Sequence, residues 1–67
     1  MFIKLKVYHV SSYSDGTNRY WMMLNTDQIV TVLRNADGLR VDTSDGKYFF
    51  IDPSCEKVLL NAIHVDI

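Results

Sequence analysis

The apolar residues of this chain keep two different periods, and the change from one to the other at Asp52-Pro53 limits what it can fold into. Before that point apolar and polar residues alternate in short runs separated by turn-forming clusters, the mark of half-buried strands. After it, apolar residues recur every three to four positions, the mark of one amphipathic helix.

The first run is "FIKLKVYHV" (2–10), in which Ile3, Leu5 and Val7 share one face with His9, while Lys4, Lys6 and Tyr8 share the other. "SSYSDGTN" (11–18) gathers residues that favour turns through local hydrogen bonds or positive φ, and predicts a long loop. "RYWMMLN" (19–25) predicts a second strand with Tyr20, Met22 and Leu24 on one face and Trp21 and Met23 on the other, so both faces are apolar. "IVTVLR" (29–34) is β-branched and predicts a third strand. A turn at "NADG" leads to "LRVDTS", where Leu39, Val41 and Thr43 alternate with polar residues. Asp45-Gly46 then predicts a type I′ turn into "KYFFI", which makes the hairpin of strands four and five the tightest of all.

In "DPSCEKVLLNAI", Asp52 suits the N-cap and Pro53 the first helical position, where its missing N–H costs nothing. Glu56 lies near the positive end of the helix dipole, and His64 near the negative end. Cys55, Val58, Leu59, Ala62 and Ile63 form one apolar stripe. The tail "HVDI" (64–67) fits either a continued helix or a run beside a strand edge. The expected fold is α+β and mainly β, a five-stranded antiparallel meander, open or curled into a small barrel, with one C-terminal helix in a single domain of residues 1–67.

A chain of 67 residues buries only about 60% of its unfolded surface, so its core is thin. With Cys55 the only cysteine, no internal disulfide can support it, which leaves an efficient core or self-association, most simply a homodimer. The lone thiol also points to a reducing cytoplasm. The N-terminal run is interrupted by charge too often to enter a membrane, so no membrane insertion is expected. Eight acidic against seven basic residues give a formal net charge of −1, which removes the bulk attraction that general nucleic-acid binders use.

Taken together, "MFIKL", "LNTDQIVTV", "LRVDTSDGKYFFID" and "PSCEKVLLNAI" resemble the small flagellar FlbD family of bacterial motility proteins. The shared features are a basic first strand, an asparagine-led turn before an isoleucine-containing strand, a short Asp-Gly hairpin and a closing helix. The chain departs from that family at "SSYSDGTNRYW", which stands where its members have a tight turn. The resemblance implies a non-enzymatic bacterial accessory protein that acts through protein contacts. Small phage and prophage proteins share the same outline, and for them a host protein is the natural target.

The residues that could do chemistry are scattered. Cys55 has His9 and His64 as possible bases, but the helix stripe turns its thiol towards the sheet. The same three residues form no closely spaced pair of metal ligands. Gly16, Gly38 and Gly46 belong to separate turns and build no phosphate loop, and Asp15, Asp37 and Asp45 each precede a glycine, where turn formation accounts for them. The expectation is a protein that is not an enzyme and takes no metal or cofactor.

If Tyr20, Met22 and Leu24 face the core, then Arg19, Trp21 and Met23 join Lys4, Lys6 and Tyr8 on the outer face. Such a mixture of aromatic, methionine and cationic side chains is typical of protein interfaces. With Tyr13 from the adjoining loop, these are the candidate partner-binding residues of an adaptor or inhibitor. The competing placement has Trp21 or Met23 capping one end of a curled barrel. The competing function is single-stranded nucleic-acid binding, with bases stacked on the sheet aromatics and phosphates on the lysines.

Overall fold

The period change falls where the sequence places it. In the computed structural model, which describes residues 1–64, five antiparallel strands form one sheet and a short helix follows the last of them. The strands are β1 (Phe2–Ser11), β2 (Ser14–Asn25), β3 (Ile29–Asn35), β4 (Gly38–Thr43) and β5 (Tyr48–Ile51). The sheet order is β2-β1-β5-β4-β3, because β5 returns to pair with β1 through Val7–Ile51 and Tyr8–Phe50. Strands β2 and β3 are therefore opposite edges, yet only the 3-10 turn Thr26–Gln28 connects them. The sheet must curl to bring these ends together. The Thr26 N–H donates to the Met1 carbonyl at 2.8 Å and the Ser44 N–H to the Gln28 carbonyl at 2.8 Å, which pins both sides of the curl. Strands succeed one another around the curl in chain order, and the unpaired seam lies between β2 and β3.

Inside the curl, Leu5, Val7, Leu24, Leu39, Val41, Phe49 and Ile51 form the core with Cys55, Leu59 and Leu60 from the C-terminal segment. Asp52 caps that segment as expected, accepting the Ser54 N–H at 3.1 Å. The first turn, Pro53–Cys55, is 3-10, and the α-helix α1 runs Glu56–Ala62. A turn of three residues shifts the phase of everything after it. As a result Leu60 enters the core and Val58 is 47% exposed, in place of the stripe through Val58 that a uniform helix predicts. The helix ends where His64 takes φ 62°, the left-handed conformation common one residue past a C-cap. Whether the 64–67 tail continues further lies, from Val65 onward, outside the described residues.

Two turns depart from expectation. The 11–18 segment is not a long loop: β1 and β2 both extend into it, leaving Ser12 and Tyr13 as the hairpin turn. The turn-forming residues instead make a bulge, since Gly16, Thr17 and Asn18 stand between the pairs Tyr8–Arg19 and Val10–Asp15, opposite His9 alone. At Asp45-Gly46, only Gly46 has positive φ (83°), and the Thr43 N–H bonds to the Lys47 carbonyl. That is a three-residue loop with glycine at the left-handed position rather than a type I′ turn, so β4–β5 is a looser hairpin than β1–β2 or β3–β4.

Strand β5 is apolar on both faces because it is the middle of the sheet. Phe49 and Ile51 point into the curl, and Phe50, 2% exposed, is covered on the outside. Tyr8 stacks on Phe50 with centroids 5.6 Å apart, and the Tyr8 hydroxyl donates to the Asp37 carbonyl at 2.7 Å. Gly38 makes room for this bond: it has φ 134°, and a Cβ there would overlap the Tyr8 hydroxyl. Gly38→Ala is expected to cost about 2–3 kcal/mol in urea unfolding, from backbone strain together with displacement of Tyr8. Gly46→Ala, where a Cβ meets nothing within 4 Å, should cost only about 1 kcal/mol.

Candidate functional site

The outer face of the β1–β2 hairpin carries the sequence-predicted site. Antiparallel register sets Lys4 opposite Met23, Lys6 opposite Trp21 and Tyr8 opposite Arg19, and each pair projects from the same face. Trp21 is 55% exposed and Met23 60%, so neither caps the core. The Lys4 ammonium lies 5.1 Å from the Trp21 ring centroid, a cation–π contact across the strand pair. Lys4 and Lys6 have no carboxylate partner among the described residues. Phe2, 64% exposed, extends the same face beyond Lys4.

The remaining predicted residues are engaged or set apart. Tyr8 is on the expected face but buried, between Phe50 and the Arg19 guanidinium, which stacks on its ring at 3.8 Å. Arg19 donates through Nε to the Gly16 carbonyl at 2.8 Å and pairs with Asp52 at 2.6 Å. It thereby closes the bulge and ties β2 to the start of the C-terminal segment. Tyr13 is 98% exposed at the hairpin tip, away from Trp21. What the structure assembles as an open patch is Phe2, Lys4, Lys6, Trp21 and Met23. Tyr8 and Arg19 form its supported end.

A second feature, not evident in the sequence, is a groove of about 440 Å³ beneath the β2 side of the seam. Tyr20, Met22 and Leu24 line it from β2, and Tyr48, Phe49 and Lys47 line it from the β4–β5 hairpin. His9 closes one end by a 2.7 Å hydrogen bond to the Tyr20 hydroxyl and edge contact with Tyr48. The signal was present in the doubly apolar "YWMML", but the groove requires knowing that β2 is an edge.

Cys55 is a buried free thiol, and no three of the described His, Cys, Asp and Glu residues are grouped to hold a metal ion. No described helix is long and apolar enough to cross a membrane. The chain matches no family model, no curated protein and no solved structure.

Three carboxylates titrate below the usual aspartate range. Asp52 is held down first by the Ser54 hydroxyl at 2.5 Å, then by the Ser54 N–H and Arg19. Asp15 is lowered by Thr17, and Asp45 by Thr43 and then the Lys47 N–H. A carboxylate with a depressed folded pKa adds stability that is fully present above its unfolded value, about 3.9, and is lost as pH falls through the folded value. Stability should therefore be flat from neutral pH to about 5 and decline below about 4. Asp52→Ala is expected to lose about 1 kcal/mol at neutral pH and to shallow the acid limb, as measured by denaturation across pH.

Proposed function

We propose that this protein is a non-enzymatic binding module that recognises another protein through the outer face of its β1–β2 hairpin. The observation that carries this reading is an exposed Trp21 and Met23 flanked by two unpaired lysines on a regular strand pair. Aromatic and methionine side chains dominate interface energetics, and Trp21 is held in place by its strand and by Lys4, so little entropy is lost on binding. Lys4 and Lys6 favour an acidic target surface. A single buried thiol suits a cytoplasmic setting. The resemblance to flagellar accessory proteins makes a bacterial motility complex, or a host target of a phage protein, the first place to search.

The stack of Lys4 on Trp21 supports a second reading, single-stranded nucleic-acid binding, because a base can join such a stack. Its weakness is charge: two free lysines on a chain of net charge −1 track few phosphates.

Immobilised wild type and Trp21→Ala, compared in pull-downs from a bacterial lysate, test both readings. A protein target should be retained by wild type over a range of salt and weakened at least about 30-fold by Trp21→Ala. Val30→Ala, on the exposed far edge, should leave capture unchanged. Retention of nucleic acid that fades steeply with salt would favour the second reading, and equal capture by wild type and Trp21→Ala would reject this face as the site.

A further inference from the structure

The two edges of the sheet are finished differently. On β3, Val30 stands extra between the pairs Ile29–Thr43 and Thr31–Asp42, and this bulge interrupts the edge. Bulges, charges and prolines are how native edges avoid pairing with other strands. On β2, register is unbroken from Arg19 to Asn25, and Tyr20 to Leu24 contains no charge and no proline.

Hydrogen-bond parity shows which backbone groups are free there. The Thr26 N–H bonds to Met1 across the hairpin, and the Asp52 N–H bonds to the Lys6 carbonyl on the other side of β1. Hydrogen-bonded and non-hydrogen-bonded pairs alternate along an antiparallel ladder, so Tyr20, Met22 and Leu24 bond to β1. Arg19, Trp21 and Met23 turn their N–H and C=O groups to the open edge, as does the Asn25 N–H, while the Asn25 carbonyl opens the 3-10 turn Thr26–Gln28.

We infer that this edge binds a second copy of the chain, β2 against β2 antiparallel, with the two-fold axis at Met22. That register alone uses every residue from Arg19 to Asn25. It sets Arg19 opposite Asn25 of the other copy, Trp21 opposite Met23, Tyr20 opposite Leu24 and Met22 opposite itself. No charge meets a like charge. These outward-turned groups pair with their counterparts, giving about six hydrogen bonds. On the inner side, the partner's Met22 and Tyr20 project over the apolar groove lined by Tyr20, Met22, Leu24 and Phe49. On the outer side, Trp21 of each copy lies beside Met23 of the other, with the lysines of the two β1 strands kept apart by the paired β2 strands. The bulged β3 edge stops growth at two copies. One strand pair with its flanking side chains lies at the lower end of specific interfaces, so dissociation in the micromolar range is expected.

Sedimentation equilibrium of the full chain from low to several hundred micromolar should show a monomer–dimer equilibrium. Asn25→Asp keeps the cap on the Asp27 N–H and places a carboxylate opposite Arg19 of the other copy; it should tighten the dimer about three- to tenfold. Asn25→Lys should weaken it by a similar factor. Met22 faces itself in a non-hydrogen-bonded pair, where Cα atoms are about 4.5 Å apart and a disulfide fits. Met22→Cys in a Cys55→Ala background should therefore oxidise to a covalent dimer, whereas Tyr20→Cys should not. A chain that stays monomeric throughout, a dimer indifferent to both Asn25 substitutions, or equal cross-linking through Tyr20→Cys would overturn the inference. An edge occupied only by a foreign extended peptide would do the same. Capture through Trp21 is read separately, so either proposal can fail alone.

Discussion

Pairing of β5 with β1 is the contact on which the rest of the molecule depends. It spans only Val7–Ile51 and Tyr8–Phe50, yet it joins the first hairpin to the last and places β5 at the centre of the sheet. With that pairing made and only Thr26–Gln28 linking the outer strands, a flat sheet is impossible. The curl gives a chain of this size an enclosed core, with α1 and its 3-10 lead covering one part of the inner face. The same curl leaves β2 and β3 as unjoined edges, and so creates both the seam and the groove under it.

A second layer on the outside of the sheet stabilises that pairing. Phe50, Tyr8, Arg19 and Tyr48 stack or meet edge to face, and Arg40 lies 4.3 Å over the Tyr48 ring. These groups cover the weak two-pair ladder between β1 and β5 from the solvent side. Arg19 reaches from this layer to Asp52, which caps the helical segment and bonds through its N–H to Lys6. The bulge, the central ladder and the helix start are thus coupled through one guanidinium and one carboxylate. Arg34 to Glu56 at 2.6 Å ties β3 to α1 in a similar way, but at a far more exposed arginine, where an ion pair contributes little.

The functional reading follows from which apolar residues this arrangement leaves outside. "KYFFI" and "RYWMML" look alike as doubly apolar strands, and from the sequence both suggest a second covered surface. The structure separates them. In β5 the second face is covered by the chain's own Tyr8 and Tyr48, because a central strand has neighbours on either side. In β2 the second face and one backbone edge remain open among the described residues, because no described strand follows it in the sheet. Of these two strands, only β2 retains apolar surface to offer to another molecule.

Alternation within "FIKLKVYHV" and "LRVDTS" was enough to orient Leu5, Val7, Leu39 and Val41 inward, since side chains on a strand can face only two ways. The Asp52-Pro53 start of the helical segment was equally legible, because capping is a local interaction of neighbouring residues. The same parity set Lys4 and Lys6 outward, but both faces of "RYWMML" are apolar, so only the fold decides that Trp21 and Met23 face out rather than cap the core. Three other features were not legible: the bulge hidden in "SDGTN", the phase shift that exchanges Val58 for Leu60, and the burial of Tyr8. Each depends on partners distant in the chain or on the choice between closely similar backbone turns. Strand order belongs with them. Local patterning determines that a segment is a strand and which face is apolar, while long-range pairing decides whether that strand is a centre or an edge, and here that difference decides where the protein can bind.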